Sequence, residues 1–361
     1  MRPGPLPWTP RAHPGESLSG WVARIASRYD VTAAELCKHL LGAEAFDAAR
    51  VEQLDHRADP ELLALLAEAA RLPLAKLRAM RVTANDGIAS CWFRTNATWC
   101  PECVTCDLAR GPETYERATW RLGCTVTCSE HSILLQHACR DCWKKARCSF
   151  RPAKGWLGLA CNFCNRPPCP PDLPVKPLEF EYAGGFGALL TRELVRRVGS
   201  LQYDLQAALL DVPPQGGRGT VRSAAGLLRI VRDLTLAVVL AKDVWFEQRM
   251  ELVTCLAEAP PSRMLYESFT PAALPPRTAF GLLAVVAAVL DSLDGKAVRY
   301  YWMQDGISLA LNAASFTKWL GDKGRKFLRA RLSNWEPAAG AALATVMDAV
   351  ANGVIYRTTA I

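Results

Sequence analysis

The sequence predicts a mainly α-helical chain in three parts. These are an N-terminal helical domain with helix–turn–helix-like units over residues 1–95, a cysteine-rich middle with short β-hairpins over 96–170, and a C-terminal α-helical bundle over 178–361. Three observations predict it. Apolar residues recur at helical spacing on both sides of the middle. Twelve of the fourteen cysteines fall between Cys91 and Cys169. The stretch RPPCPPDLPVKP (Arg166 to Pro177) holds six prolines, too many for a helix or central strand, and reads as an extended connector. At 361 residues, half of them hydrophobic, the chain is long enough for two or three domains with real cores.

In the first part, LSGWVARIASRYDV follows HPGES (His13 to Ser17) and places Leu18, Trp21, Val22 and Ile25 on one helix face. A break at Tyr29-Asp30 precedes a second helix, for which Thr32 is the N-cap, Glu35 its capping-box partner and Gly42 the stop. A weak repeat then aligns Ala26 through Leu36 with Ala67 through Leu77, so that Thr32 and Pro73 each start a second helix. Such helix pairs can bind DNA, but they serve more often as core architecture, and neither second helix is rich in Arg, Asn or Gln.

Helical patterns resume after the connector, in GALLTRELVRRVGSLQYDLQAALL, in the long run from Ser223 to Ala259, in TAFGLLAVVAAVLDSL and in EPAAGAALATVMDAVANGV. The breakers DVPPQGGRGT, APPSR and TPAALPPR separate them. The longest uninterrupted apolar run, Ala279 to Leu290, is 12 residues. A membrane span needs about 20, so the run reads as a buried core helix. MRPGPLPWTPR has no apolar segment of the secretory kind. The expectation is a cytoplasmic protein without a membrane partner.

The net charge is +8, from 43 basic and 35 acidic side chains. The excess is clustered. Between Cys139 and Arg166 stand Arg140, Lys144, Lys145, Arg147, Arg151, Lys154 and Arg166 against the single acid Asp141. A second cluster, Lys318 to Arg331, sets Lys318, Lys323, Arg325, Lys326, Arg329 and Arg331 against Asp322.

Cysteine-rich chains that lack a secretion signal use thiols for metal rather than disulfides. Four close pairs stand out here: Cys100-x2-Cys103, Cys128-x2-His131, Cys139-x2-Cys142 and Cys161-x2-Cys164. A two-residue gap turns both ligands of a knuckle toward one ion, and two knuckles complete the tetrahedron that zinc favours. Sequential pairing gives one site of three cysteines and a histidine and one of four cysteines. Each has four protein ligands, which makes both Zn2+ sites structural. A cross-braced pairing of Cys100 and Cys103 with Cys139 and Cys142 also satisfies the spacing. WRLGCTVTCSEH favours the sequential one, because its alternation can fold Cys128 back on the first knuckle. Cys106 and Cys124 are the competing ligands, and His137 reads as a linker histidine. Cys91 to Cys169 is poor in large aliphatics, and metal ligation supplies on the order of 10 kcal/mol in such modules.

With zinc in place, Arg140, Lys144, Lys145, Arg147, Arg151 and Lys154, interleaved with Trp143, Phe150 and Trp156, form a candidate surface for nucleic acid or an acidic partner. Catalytic signatures are missing. There is no H-E-x-x-H, Walker A, GxSxG or acidic metal triad, and His13-Pro-Gly-Glu16 and Cys100-Pro-Glu-Cys103 do not fit the deaminase pattern. A non-enzymatic protein is expected.

HPGESLSGWVARIA, then WCPEC, then Trp120-Arg121 leading into CTVTCSEHSILLQHACRDC, resembles the TniQ family over roughly residues 10 to 165. That family includes TnsD-type target selectors of transposons. The resemblance implies a transposition accessory protein that helps select the DNA target. It would link target recognition, by DNA binding or by a DNA-bound CRISPR effector complex, to an AAA+ ATPase regulator. By the same resemblance, Cys100, Cys103, Cys128 and His131 correspond to a first zinc site and Cys139, Cys142, Cys161 and Cys164 to a second. The helical N-terminus corresponds to a region of partner contact and, in some members, of homodimerisation. The chain is short beside members that read a fixed site themselves, which suits a connector. The competing reading is a stand-alone zinc-containing transcription regulator that reads an operator through its helix pairs.

Overall fold

The computed structural model describes residues 4–42, 48–81, 91–94, 97–139, 148–153, 156–167, 186–210, 219–240, 270–296, 303–304, 307–308 and 312–353. Helices dominate, and a short hairpin and clustered cysteines occupy the middle, as the sequence predicts. The chain forms two compact units. One comprises residues 1–177 with Leu209–Asp211, the other residues 178–208 with 212–361.

The first unit opens with α1 (Leu18–Arg28) and α2 (Ala33–Leu41). Ser17 caps α1, its Oγ accepting from the Gly20 amide at 3.0 Å. Leu18, Trp21, Val22 and Ile25 are fully buried, the face that the periodicity predicts. Thr32 and Glu35 form the reciprocal capping box of α2, and Gly42 ends that helix in the left-handed region at φ 64°. Three helices follow: α3 (Ala48–Arg57), α4 (Pro60–Ala69) and α5 (Leu74–Ala79).

The repeat is visible in the turns. Asp30, after α1, and Arg71, after α4, both adopt φ 55°. The next amide in each reaches back five residues, Val31 N–H to the Ala26 carbonyl at 3.2 Å and Leu72 N–H to the Ala67 carbonyl at 2.9 Å. This is the Schellman closure, made without glycine. Leu36, Leu54, Leu62, Leu66 and Leu77 join the α1 face in one core.

The cysteine-rich segment contributes α6 (Pro101–Arg110) and the antiparallel pair β1 (Cys148–Ala153) and β2 (Trp156–Cys161), in register from Cys148 opposite Cys161 to Ala153 opposite Trp156. The hairpin packs against α1. There the Arg28 guanidinium lies 3.7 Å from the Trp156 ring centre and 4.8 Å from that of Trp8.

The second unit holds α7 (Phe186–Leu210), α8 (Ala224–Leu240), α9 (Pro276–Leu293), the two-residue strands β3 (Met303–Gln304) and β4 (Ile307–Ser308), α10 (Ala313–Trp319), α11 (Gly321–Arg331) and α12 (Pro337–Ala351). The helix predicted from Ser223 to Ala259 is described as far as Leu240. Helix α9 is long and apolar enough to cross a membrane by length and composition, yet 83% of it is buried inside the structure. It is a core helix, and its Asp291 pairs with Arg197 at 2.5 Å. Helices α8 and α12 are tied through Asp233 and Glu336. Trp335 Nε1 donates to Asp233 at 2.9 Å, and Glu336 accepts the Arg222 and Ser223 amides ahead of α8.

Candidate metal centres

Cys100 is the N-cap of α6 and Cys103 lies in its first turn, Pro101 supplying the preset φ at the helix start. The Cys100 sulfur accepts the Cys103 amide at 3.4 Å, so the helix start folds both sulfurs to one side. Cys128 and His131 arrive on a tight turn framed by Thr127 opposite Leu134. Trp99 bonds Gln136 in both directions, at 3.0 and 2.8 Å, and so lays that turn beside the start of α6.

The result is a four-donor cluster. Cys103 Sγ lies 3.6 Å from Cys128 Sγ, and His131 Nδ1 lies 3.5, 3.3 and 3.6 Å from the sulfurs of Cys100, Cys103 and Cys128. A disulfide needs sulfurs about 2.05 Å apart, so these thiols are not cross-linked. A tetrahedron with zinc–sulfur bonds of about 2.3 Å has edges of about 3.8 Å, close to the spacings observed. The donor set fits a tetrahedral divalent ion. Hydrogen bonds from Cys100 and Cys103 pull the Cys128 thiol down, while the bonds to Cys100 and Cys128 push Cys103 up. A bound cation would hold all three as thiolates.

Cys139, Cys161 and Cys164 form a second cluster, with Cys139 and Cys164 sulfurs 3.7 Å apart. The two knuckles use the same turn. The Ser132 amide bonds the Cys128 carbonyl at 2.9 Å, and the Asn165 amide bonds the Cys161 carbonyl at 3.0 Å. Ser132 and Asn165 both take positive φ, 53° and 60°, and the Cys128 and Cys161 amides both reach forward five residues, to Ile133 and Arg166. Cys142, the fourth ligand expected from the spacing, lies outside the described residues, as do Arg140, Lys144, Lys145, Arg147 and Lys154. Arg151 is described, and its guanidinium donates to the Cys161 carbonyl at 2.7 Å. The first knuckle is grouped with Cys128 and His131, not with Cys139. Burial pushes the Cys124 thiol up to about 12 against the pull of Arg94, and Cys124 is not among the grouped ligands.

Residues 7–135 match the model of the TniQ family. Over that span the chain is similar to TniQ proteins. The matched span covers a little over a third of the sequence, includes the first cluster and stops short of the second. No match to a curated protein was found.

Within the matched span, the HPGES motif does work that spacing alone does not announce. Glu16 and Arg117 form an antiparallel bridge, the Ser17 amide donates to the Glu116 carbonyl at 2.9 Å, and the Ala118 amide donates to the Gly15 carbonyl at 2.8 Å. A β-bridge and flanking backbone hydrogen bonds thus hold the motif to the segment that links the two halves of the first cluster. Buried ion pairs flank it: Arg24 with Glu16 and Glu113, Arg121 with Glu116, and Arg117 with Asp107. His13 stacks on Tyr115 with ring centres 4.3 Å apart. The clue in the sequence was the number of acids and arginines beside buried aromatics, which a charge count treats as solvated.

Proposed function

We propose that this chain is an adaptor of DNA transposition. It helps select the target by linking target recognition, by DNA directly or by a DNA-bound CRISPR effector complex, to an AAA+ transposition regulator. The observation that carries the reading is the match to the TniQ family, which associates the chain with transposition and target selection, together with its four-donor cluster. Zinc is the ion we assign to both clusters, since the sulfur-rich sets suit it and the spacings fit its tetrahedron. The reading makes the metals structural, the chain non-catalytic and cytoplasmic, and the basic residues Arg140 to Lys154 a contact for DNA or for the partner. A homodimer is consistent with the same role.

The test is a reconstitution with an AAA+ ATPase regulator of transposition. Binding of the two proteins, and modest DNA affinity that falls steeply with salt and weakens in the Lys144→Ala, Lys145→Ala, Arg147→Ala variant, is expected. A tight sequence-specific footprint from the chain alone would instead favour the transcription regulator.

A further inference from the structure

We propose that helix α11 in the second unit is a phosphate-binding ridge for duplex DNA. The Lys318 to Arg331 cluster, ambiguous as a sequence, is sorted by the fold into an inward and an outward side. Gly324 and Leu328 are buried and α11 packs against α8. A Cβ added at Gly324 would come within 3.0 Å of Leu320 Cβ and 3.5 Å of the Ala237 carbonyl, so the absence of a side chain lets the helix lie close. Gly321, at φ 62°, turns the chain from α10 directly into α11.

Lys323, Lys326, Arg329 and Ala330 face outward, with Lys318 exposed in the last turn of α10. Asp322 is engaged by Arg325 at 2.6 Å, which leaves the lysines as the outer charge. Among the described residues, Lys318, Lys323 and Lys326 make no ion pair. Arg329 pairs with Asp348 at 2.8 Å, but both side chains are more than half exposed, and such pairs exchange readily for a phosphate.

The occupant follows from the chemistry of that face. A protein interface is built round an apolar centre, and this outer face carries cations, the exposed acid Asp322 and one alanine. Single strands are gripped by stacking on exposed aromatics. The aromatic of α11, Phe327, is half-buried under the Arg331 guanidinium, 5.5 Å away. A rigid helix with cations along about 9 Å of its axis, from Lys323 to Arg329, suits a duplex groove about 12 Å wide. Lysines act as point charges rather than bidentate base readers, so the contact is independent of sequence. The inference adds a DNA contact to the adaptor reading and requires no protein partner.

The experiment is fluorescence anisotropy of the full zinc-loaded chain with a labelled random-sequence duplex, at about 50 and 200 mM salt. The Lys323→Ala, Lys326→Ala variant should bind more weakly, and its loss of affinity between the two salts should be about twelvefold smaller than that of the parent, as two missing phosphate contacts dictate. The charge reversal Lys323→Glu, Lys326→Glu should weaken binding further, with unchanged circular dichroism and thermal midpoint. Parent-like affinity and salt slope in both variants, or equal affinity of the parent for a single strand, would overturn the ridge. Loss confined to the Lys144→Ala, Lys145→Ala, Arg147→Ala variant would do the same while leaving the adaptor reading in place. Loss of the AAA+ partner with intact DNA binding would strike the adaptor reading alone.

Discussion

Glu16 and Arg24 meet at 2.7 Å with side chains 0% and 5% exposed, and Glu113 closes on the same guanidinium at 3.2 Å. One cation therefore serves two buried acids, one preceding α1 and the other following α6. Arg24→Ala would strand Glu16 and leave Glu113 with Arg28 alone, and breaking a buried pair in this way costs about 3–5 kcal/mol. Urea unfolding of the full chain should show a loss of that size. The Glu16→Leu, Arg24→Met double variant should lose less than Arg24→Ala alone.

Asp55 is wholly buried, accepting the Ser19 amide at 2.9 Å and the Ser19 hydroxyl at 2.5 Å. Burial pushes its carboxyl up to about 6, against the pull of Arg121. A carboxyl that holds its proton more tightly when folded stabilises the fold at low pH, and that contribution is lost as pH rises through about 4 to 6. Asp55→Asn should remove this component. The stability difference between parent and variant should shift by on the order of 2–3 kcal/mol across that window, the parent losing ground as pH rises. A pH-independent difference would contradict it.

The metal clusters make a stoichiometric prediction. Elemental analysis should find two zinc ions per chain, falling to one in Cys128→Ala. Because Trp99 and Trp120 lie in the same core as the first cluster, chelation should also shift tryptophan fluorescence. A single ion in the parent would refute the two-site assignment.

Gly20 lies where α1 crosses the segment around Glu116. A Cβ there would sit 2.8 Å from Ser17 Oγ and 3.0 Å from Glu116 Cβ. Gly20→Ala, normally favourable in a helix, should destabilise by about 1–3 kcal/mol through overpacking. Thermal unfolding reads the sign directly.

Local patterns proved legible wherever one short stretch determines the outcome. The apolar face of α1, the Thr32–Glu35 box, the Gly42 stop and the knuckle spacings all depend on residues within a turn or two of each other. The repeat between Ala26–Leu36 and Ala67–Leu77 was also readable, and the matched turns at Asp30 and Arg71 give it a physical form. What the pattern hid was long-range pairing of charge. No local pattern marks Asp107, Glu113, Glu116 and Arg117 as buried or half-buried, since their ion-pair partners lie from 5 to 89 residues away. The inward side of α11 was hidden for a related reason, since glycine at position 324 carries no apolar signal of its own.

The pairing of HPGES with Glu116 and Arg117 has a consequence for how the chain is made. Ser17 and Glu116 are 99 residues apart in sequence. On the ribosome, at about 5–20 residues per second, α1 emerges some 5–20 seconds before the segment that completes its N-terminal surroundings. For that interval Glu16 and Arg24 have each other, the His13 amide and the Arg11 carbonyl, but not Glu113. The helical beginning of the protein is born unfinished, and its last seam closes only when the cysteine-rich segment has left the exit tunnel.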